Sequence, residues 1–523
     1  MPHVPPACYQ ARLVGVLRST LWVLAVFPGC AACAREQPPG AEVAAPLHLS
    51  VAALGGGETG SDPGAGQLVG FGSADDHLPF EPAGDRLASI AWRTWIYTDT
   101  GPNRTRLGYL RAGGIVDARG PSIVNPGCEG GWYRINPRGF VCIGKGATLN
   151  LEHAIVTQSV RRPTRGEAYP YVYAMSDEPP PDRYFRLPTA AQMRHVEGPQ
   201  IADRALAWLL RAEESGLAQR MGGLGTLPPF LTPVTVLEKP YGTKSHLRTQ
   251  ITAGRVGAGS GFALAHVLAW EGRGFGLTTE MDLLPLDRLK IAEPQALFGV
   301  QIPAGHSPAV AFHVKGSLTL WKESPYGFVP AGEQRQKRGF LLTGKKGKGG
   351  MLETQDGVWV ARDSVRLLEP REGFPSVAHG SRKWIDVSIQ NQTLVAYVGR
   401  QAVFATLVST GRGEMGDPET SLATVRGTFM INEKSVSSTM DGDQDRADSY
   451  ELLDVPFVQY FHKGFALHGA YWHDEFGKAR SHGCINLSAR DSAFLFEWTD
   501  PPVPPGWHAV LNKERGTVVY VRR

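Results

Sequence analysis

Glycine and proline interrupt this chain so often that long helices have little room to form: 62 Gly and 39 Pro are spread through 523 residues. Glycine adds backbone freedom that a helix must remove, and proline withholds an amide and clashes with the preceding turn. What remains is short runs of alternating apolar residues between turn residues, a pattern that reads as strands. The expected fold class is mainly β. A chain of this length exceeds a single core, so several domains are expected. The formal net charge is only +4, with both signs mixed, and carries no electrostatic footprint for nucleic acid. The densest basic run, Arg335 to Lys348, reads as a solvated loop, with attraction to anionic envelope polymers as the alternative.

Residues 1–33 read as an export signal. Arg12 and Arg18 precede the apolar run Leu21 to Phe27, which the small residues of PGCAAC follow. The run is too short to span a bilayer, and no later segment approaches the roughly 20 apolar residues a spanning helix needs. Cys33, after Ala31-Ala32, and Cys30, behind the poorly fitting Phe27, resemble the lipidated cysteine of bacterial lipoproteins. Membrane attachment through an N-terminal lipid, plain secretion and a retained anchor all stay open. Residues 34–87, centred on GGGETGSDPGAG, show no apolar periodicity and read as a flexible linker.

Residues 88–150 break into AWRTWIYTD, RLGYLRAG, GGWYRI and GFVCIG, the pattern of a small antiparallel barrel. The order of these pieces resembles the bacterial Src-homology-3-like modules of cell-wall enzymes, which implies wall binding or a spacer's role. Cys128 and Cys142 flank a strand–turn–strand unit where a disulfide suits an oxidising compartment. In residues 151–228 the proline-rich YPYVYAMSDEPPPDRYFRLPT argues against a regular helix or a central strand, whereas Ile201 to Leu217 has helical spacing. Residues 229–370 are expected to hold one or two further β modules, Leu231 to Leu289 and Val310 to Leu368. Both end alike, with Phe275 before Leu283-Leu284 and Trp359 before Leu367-Leu368. Glu369 to Arg382 reads as a Pro/Gly linker into a last domain at 383–523, whose one clear helix is signalled by Ser488 and Asp491 ahead of AFLFEW.

The chemistry concentrates in HGAYWHDEFGKARSHGCIN, His468 to Asn486. Once Cys8, Cys30 and Cys33 are assigned to the leading segment and Cys128 and Cys142 to each other, Cys484 is left over. A retained thiol outside the cytoplasm is either inert and buried or kept for its reactivity. An ordinary thiol is only a few per cent ionised near neutrality, so a nucleophilic Cys484 needs a base, and His468 at a strand end is the candidate. The N–H groups of Gly483 and Cys484 are candidate oxyanion donors. His462, His473, Asp474 and His482 lie near in sequence, but without HExxH or CxxC spacing no metal is expected, and His462 and His473 read as surface or structural.

His468-Gly469 followed by SHGCIN at Ser481 to Asn486 resembles the signature of bacterial L,D-transpeptidase catalytic domains of the YkuD type. KWIDVSIQNQTLVAY, ATLVSTGR, RGTFMINEK and VPFVQYF follow the family's order, and the resemblance covers about residues 383–523. It implies a β-rich catalytic fold that cross-links peptidoglycan stem peptides through a cysteine acyl-enzyme, on the periplasmic side of the cell envelope, without a cofactor. It makes Cys484 the nucleophile, His468 the base and proton donor, and the Gly469 carbonyl the group that orients the imidazole. Ser481 and His482 would support the loop, and amides from His482 to Cys484 would hold the oxyanion. Tyr471, Trp472, Arg480 and Asn486 are substrate-binding candidates, Arg480 for a stem-peptide carboxylate. Two departures bear on substrate and acceptor choice: Asn486 stands where many relatives carry Arg, and Thr424-Val425-Arg426-Gly427 stands where relatives often have T-P-x-G. Neither is expected to touch the nucleophile or its base. The alternatives are a cysteine peptidase (an L,D-carboxypeptidase trimming stems) and a non-catalytic wall-binding protein.

Overall fold

The structure, a computed structural model, describes residues 85–159, 163–225, 227–234, 236–243, 251–305, 309–441 and 451–523. The expected export signal, Cys30, Cys33 and the linker as far as residue 84 lie outside the described residues. Strands dominate the rest, and no described helix is long and apolar enough to cross a membrane.

Residues 86–148 contribute short strands that pair mostly with one another. Arg86–Ser89 pairs with Ile115–Asn125 and Ala147–Thr148, and Ile115–Asn125 continues into Cys128–Ile135 and Phe140–Cys142. Thr94–Tyr97 connects Phe140–Cys142 to Arg106–Leu110. Cys128 and Cys142 are disulfide-bonded. The first strand starts inside the expected linker because Leu87 is fully buried against this core.

The proline-rich segment departs most from expectation. Val172–Ser176 is a central strand between Gly261–Trp270 and Leu289–Ala292, and Asp182–Tyr184 pairs with Thr252–Arg255 and Leu283–Pro285. Pro170, Pro179, Pro180, Pro181 and Pro188 bracket these strands without entering them, so no ladder amide is lost. The helix runs Ile201–Glu214 and buries Ile201, Ala205, Trp208 and Ala212 along one face.

Residues 310–368 form a seven-stranded sheet. The basic run expected to be a loop is largely the strand Arg338–Lys346, with Lys345 and Lys346 exposed. The repeated ending is real but offset. Leu283–Pro285 and Trp359–Ala361 each lead through a 3₁₀ turn into a last strand, Leu289–Ala292 and Arg366–Leu368, so Trp359 matches Leu283 and not Phe275.

In the C-terminal part, Lys383–Ser388 lies between antiparallel Thr393–Val398 and parallel Val518–Arg522, in a sheet that Gln401–Leu407 and Gly427–Met430 extend. A second layer runs Glu433–Asp441, Glu451–His462, Phe465–Gly469, Ile485–Leu487. The helix Ala489–Trp498, capped by Ser488 Oγ accepting from the Asp491 N–H, sends Leu495 into the core between the layers. 

The upstream parts are not beads on a string. Arg106–Leu110 pairs with Ala509–Leu511, Gly261 pairs with Leu452, and Val300–Gln301 pairs with Gln401–Leu407. The Glu369 to Arg382 linker is packed down as well: Ala378 is buried, and Arg371 reaches the Asp386 carboxylate at 2.7 Å. Asp454, fully buried, joins the pieces. It accepts from Arg111 at 2.8 Å, from Thr279 Oγ1 at 2.5 Å and from Ser437 Oγ at 2.8 Å, while its carbonyl accepts from Tyr173 Oη at 2.6 Å. A buried ion pair is costly to break because the surviving charge stays in low dielectric. Asp454→Ala is therefore expected to lower unfolding stability by about 3–5 kcal/mol, read from urea denaturation. Arg111→Met in the same background should recover part of that loss; an additive, further loss would contradict the argument.

Candidate active site

Two adjacent strands bring the catalytic candidates together. Phe465–Gly469 and Ile485–Leu487 run parallel, with Leu467 opposite Ile485 and His468 opposite Asn486. Period-two alternation then places His468, Asn486 and Cys484, one residue before the strand, on one face. All three line a cleft of about 570 Å³.

His468 is 2% exposed, and its Nδ1 lies 3.1 Å from the Gly469 carbonyl oxygen. A carbonyl only accepts, so Nδ1 carries the proton and Nε2 keeps its lone pair. Burial pulls the imidazole down to about 4, against a smaller opposing effect from the Gly469 bond, so the ring is neutral near pH 7. Gly469 has no room for a side chain, since a Cβ there would sit 2.6 Å from Ser492 Oγ.

The Cys484 thiol is unpaired, and burial pushes it up to about 11, moderated by the Ala466 backbone N–H. Its Sγ faces the Gly464 carbonyl at 3.7 Å, and no hydrogen bond to His468 is present. The resting pair is thus a neutral thiol beside a neutral imidazole. The loop before it is held from several sides. Ser481 Oγ accepts from the Gly483 N–H at 3.1 Å and donates to the Cys484 carbonyl. That corrects one expectation: the Gly483 amide is already engaged, while the Cys484 N–H has no partner among the described residues. Gly483 sits at φ +126°, and a Cβ there would press to 2.8 Å from Phe465.

Thr424 Oγ1 accepts from the Gly411 N–H at 2.8 Å and donates to the Gly483 carbonyl at 2.7 Å. It was singled out in the sequence only as part of a departure from the family pattern, yet it braces the residue before Cys484. His482 is exposed and meets Arg412 at 3.0 Å. Arg480 lines the cleft and is paired with Glu475 at 2.6 Å.

Trp472 lines the cleft beside the His468 ring, whereas Tyr471 does not. Tyr471 is 4% exposed and stacks on Tyr173 at 4.3 Å, which makes it a packing residue and corrects its expected substrate role. His473 also lines the cleft; its Nδ1 accepts from the Glu475 N–H at 3.1 Å, and its Nε2 lies 2.9 Å from the Asn486 amide. A neutral ring accepting at Nδ1 donates at Nε2, so the Asn486 amide oxygen belongs on that side. Burial, then Arg480, pulls this imidazole down to about 4. His462 packs on Phe429 instead, away from the cleft.

Residues 382–521 match the family described as YkuD, L,D-transpeptidase catalytic domain. This part of the chain is an L,D-transpeptidase catalytic domain. Its similar solved structures include the L,D-transpeptidase catalytic domain from E. faecium, 25% identical over 28% of this chain and 99% of that one, with a TM-score of 0.21. They also include an L,D-transpeptidase from Stackebrandtia nassauensis, 25% identical over 29% of this chain and 62% of that one, with a TM-score of 0.20. A third, from Mycobacterium smegmatis, is 16% identical over 45% of this chain and 89% of that one, with a TM-score of 0.22. No curated protein matches the chain. 

Gln295 was invisible in the sequence. It donates to the Ala470 and His473 carbonyls at 2.6 and 3.0 Å and accepts from the Ala489 N–H at 3.1 Å, tying the transpeptidase loop to the segment before it. 

The two shifted groups set a pH dependence. With the thiol raised to about 11, thiolate is scarce at neutrality and grows about tenfold per pH unit. Iodoacetamide alkylation of Cys484, followed by intact mass, should therefore rise about tenfold per unit from pH 7 to 10. With His468 lowered to about 4, its basic form persists as pH falls through the usual histidine range. A preformed thiolate–imidazolium pair would instead give a plateau across that window.

Proposed function

We propose that the protein is a peptidoglycan L,D-transpeptidase of the cell envelope that works through a thioester on Cys484. The observation carrying this reading is the shared face of Cys484 and His468, with the imidazole lone pair and the Cys484 N–H both uncommitted. The substrate is a donor stem tetrapeptide, attacked at the carbonyl of its diaminopimelate-type residue.

His468 Nε2 takes the thiol proton as sulfur attacks, which spares the protein from keeping a buried thiolate at rest. Negative charge moves to the carbonyl oxygen, where the Cys484 N–H is a suitable donor. The C–N bond then breaks, and the terminal D-residue leaves with the proton held by His468. An acceptor amine attacks the thioester, the C–S bond breaks, and the cysteine thiol is restored. Arg412 lines this side of the cleft, beside Arg480 in its pair with Glu475, and supplies a cation suited to a carboxylate of the donor. Trp472 supplies an apolar wall beside the base.

Intact mass is the direct test. Full-length protein incubated with a stem tetrapeptide should gain the mass of the tripeptide acyl group, and Cys484→Ala should gain nothing. His468→Gln should slow the gain by about 10²- to 10⁴-fold. Equal labelling of wild type and Cys484→Ala would overturn the nucleophile assignment. Sacculi treated with the enzyme should yield new cross-linked dimers; shortened stems alone would mean a peptidase.

A further inference from the structure

The cleft has a wall that the transpeptidase domain does not make by itself. Across four strands one register row reads Met440, Leu452, Gly261, Met175. Residues opposite one another in a sheet share a face. Met175, Leu452 and Met440 therefore share one apolar face, and all three line the cleft with Tyr460. Gly261, in the middle of the row, leaves room for Tyr471: a Cβ there would lie 2.4 Å from the tyrosine oxygen. Tyr471 seals the junction by stacking on Tyr173 and donating to the Leu453 carbonyl at 3.3 Å. Thus Met175, about 300 residues before the Cys484 loop, is carried to it by paired strands of one sheet.

An acyl transferase needs two substrate arms at its sulfur, and the two sides of this cleft differ in chemistry. Arg412 and Arg480 line the loop side near Cys484, where a carboxylate is favoured. The apolar face carries no charge. An amine attacks only as its free base, and apolar surroundings disfavour the ammonium form. We propose that Met175, Leu452 and Met440 form the acceptor subsite and take the aliphatic arm of a primary alkylamine, so that the upstream module sets acceptor choice. This rests on the transpeptidase reading above. The amine nitrogen forms the new C–N bond, the C–S bond breaks, and the proton shed by nitrogen returns to sulfur through His468.

The test uses full-length protein acylated by a stem tetrapeptide and challenged with linear amines from ethylamine to pentylamine at equal free-base concentration. The readout is the ratio of aminolysis to hydrolysis. Both routes consume one thioester, so the ratio does not depend on how fast the thioester forms. In the wild type it should rise about two- to fourfold per methylene, the increment expected for burying CH₂ groups. Met175→Lys should flatten that slope, and Met175→Leu, apolar and similar in size, should keep it. A wild-type ratio indifferent to chain length, or a slope that survives Met175→Lys, would overturn the subsite. Failure of the wild type to form any thioester would instead bring down the transpeptidase reading, and this one with it.

Discussion

Asp454 is the group on which the rest of the assembly depends. Its carboxylate is fully buried, yet Arg111, Thr279 and Ser437 satisfy it from three separate stretches of chain. A carboxylate removed from water without such partners would neutralise or drive local unfolding. Its backbone adopts φ +48°, a conformation aspartate tolerates better than most residues, and its carbonyl accepts from Tyr173. The interaction specifies geometry more than it adds stability, because only one arrangement of the surrounding strands supplies all the donors at once. Apolar packing then follows it. Val436, Phe457 and Trp507 share a core with Leu87 and Ile96, while Leu453 joins that of Phe262 and Trp208.

The same burial governs the chemistry. Desolvation raises the Cys484 thiol and lowers the His468 imidazole, moving both toward neutral forms. The loop bearing Trp472 and His473 is held in part by groups outside the transpeptidase segment: Gln295 binds its carbonyls, Arg366 donates to the Gly477 carbonyl at 2.8 Å, and Lys337 pairs with Asp474 at 3.1 Å. The upstream parts are structural members of the cleft as well as a frame behind it.

The motif around Cys484 was legible because its residues fall in one stretch, His468 to Asn486, whose pattern can be read before the pairing of its two strands is known. The mainly β character and the Ser488 cap were legible for the same reason, being properties of spacing and of one side chain next to its own backbone. The central strand Val172–Ser176 was not, because prolines on either side mask a ladder that is itself free of them. Tyr471 and Trp472 are neighbours with the same aromatic signature; only the fold sends one into packing and the other into the cleft. The Gly483 amide looked available until Ser481 Oγ was found to accept from it.

By itself, then, the sequence pointed to the family of its last quarter, to the β character of the chain and to Cys484 and His468 as the candidate pair, all through patterns readable along the chain. Tertiary structure alone decided that Met175 meets Leu452 and Met440 through Gly261, that Gln295 and Thr424 brace the loop, and that Asp454 unites three regions. The physical reason is that strand register and burial are set by contacts hundreds of residues apart. No local pattern records which strand will lie beside which.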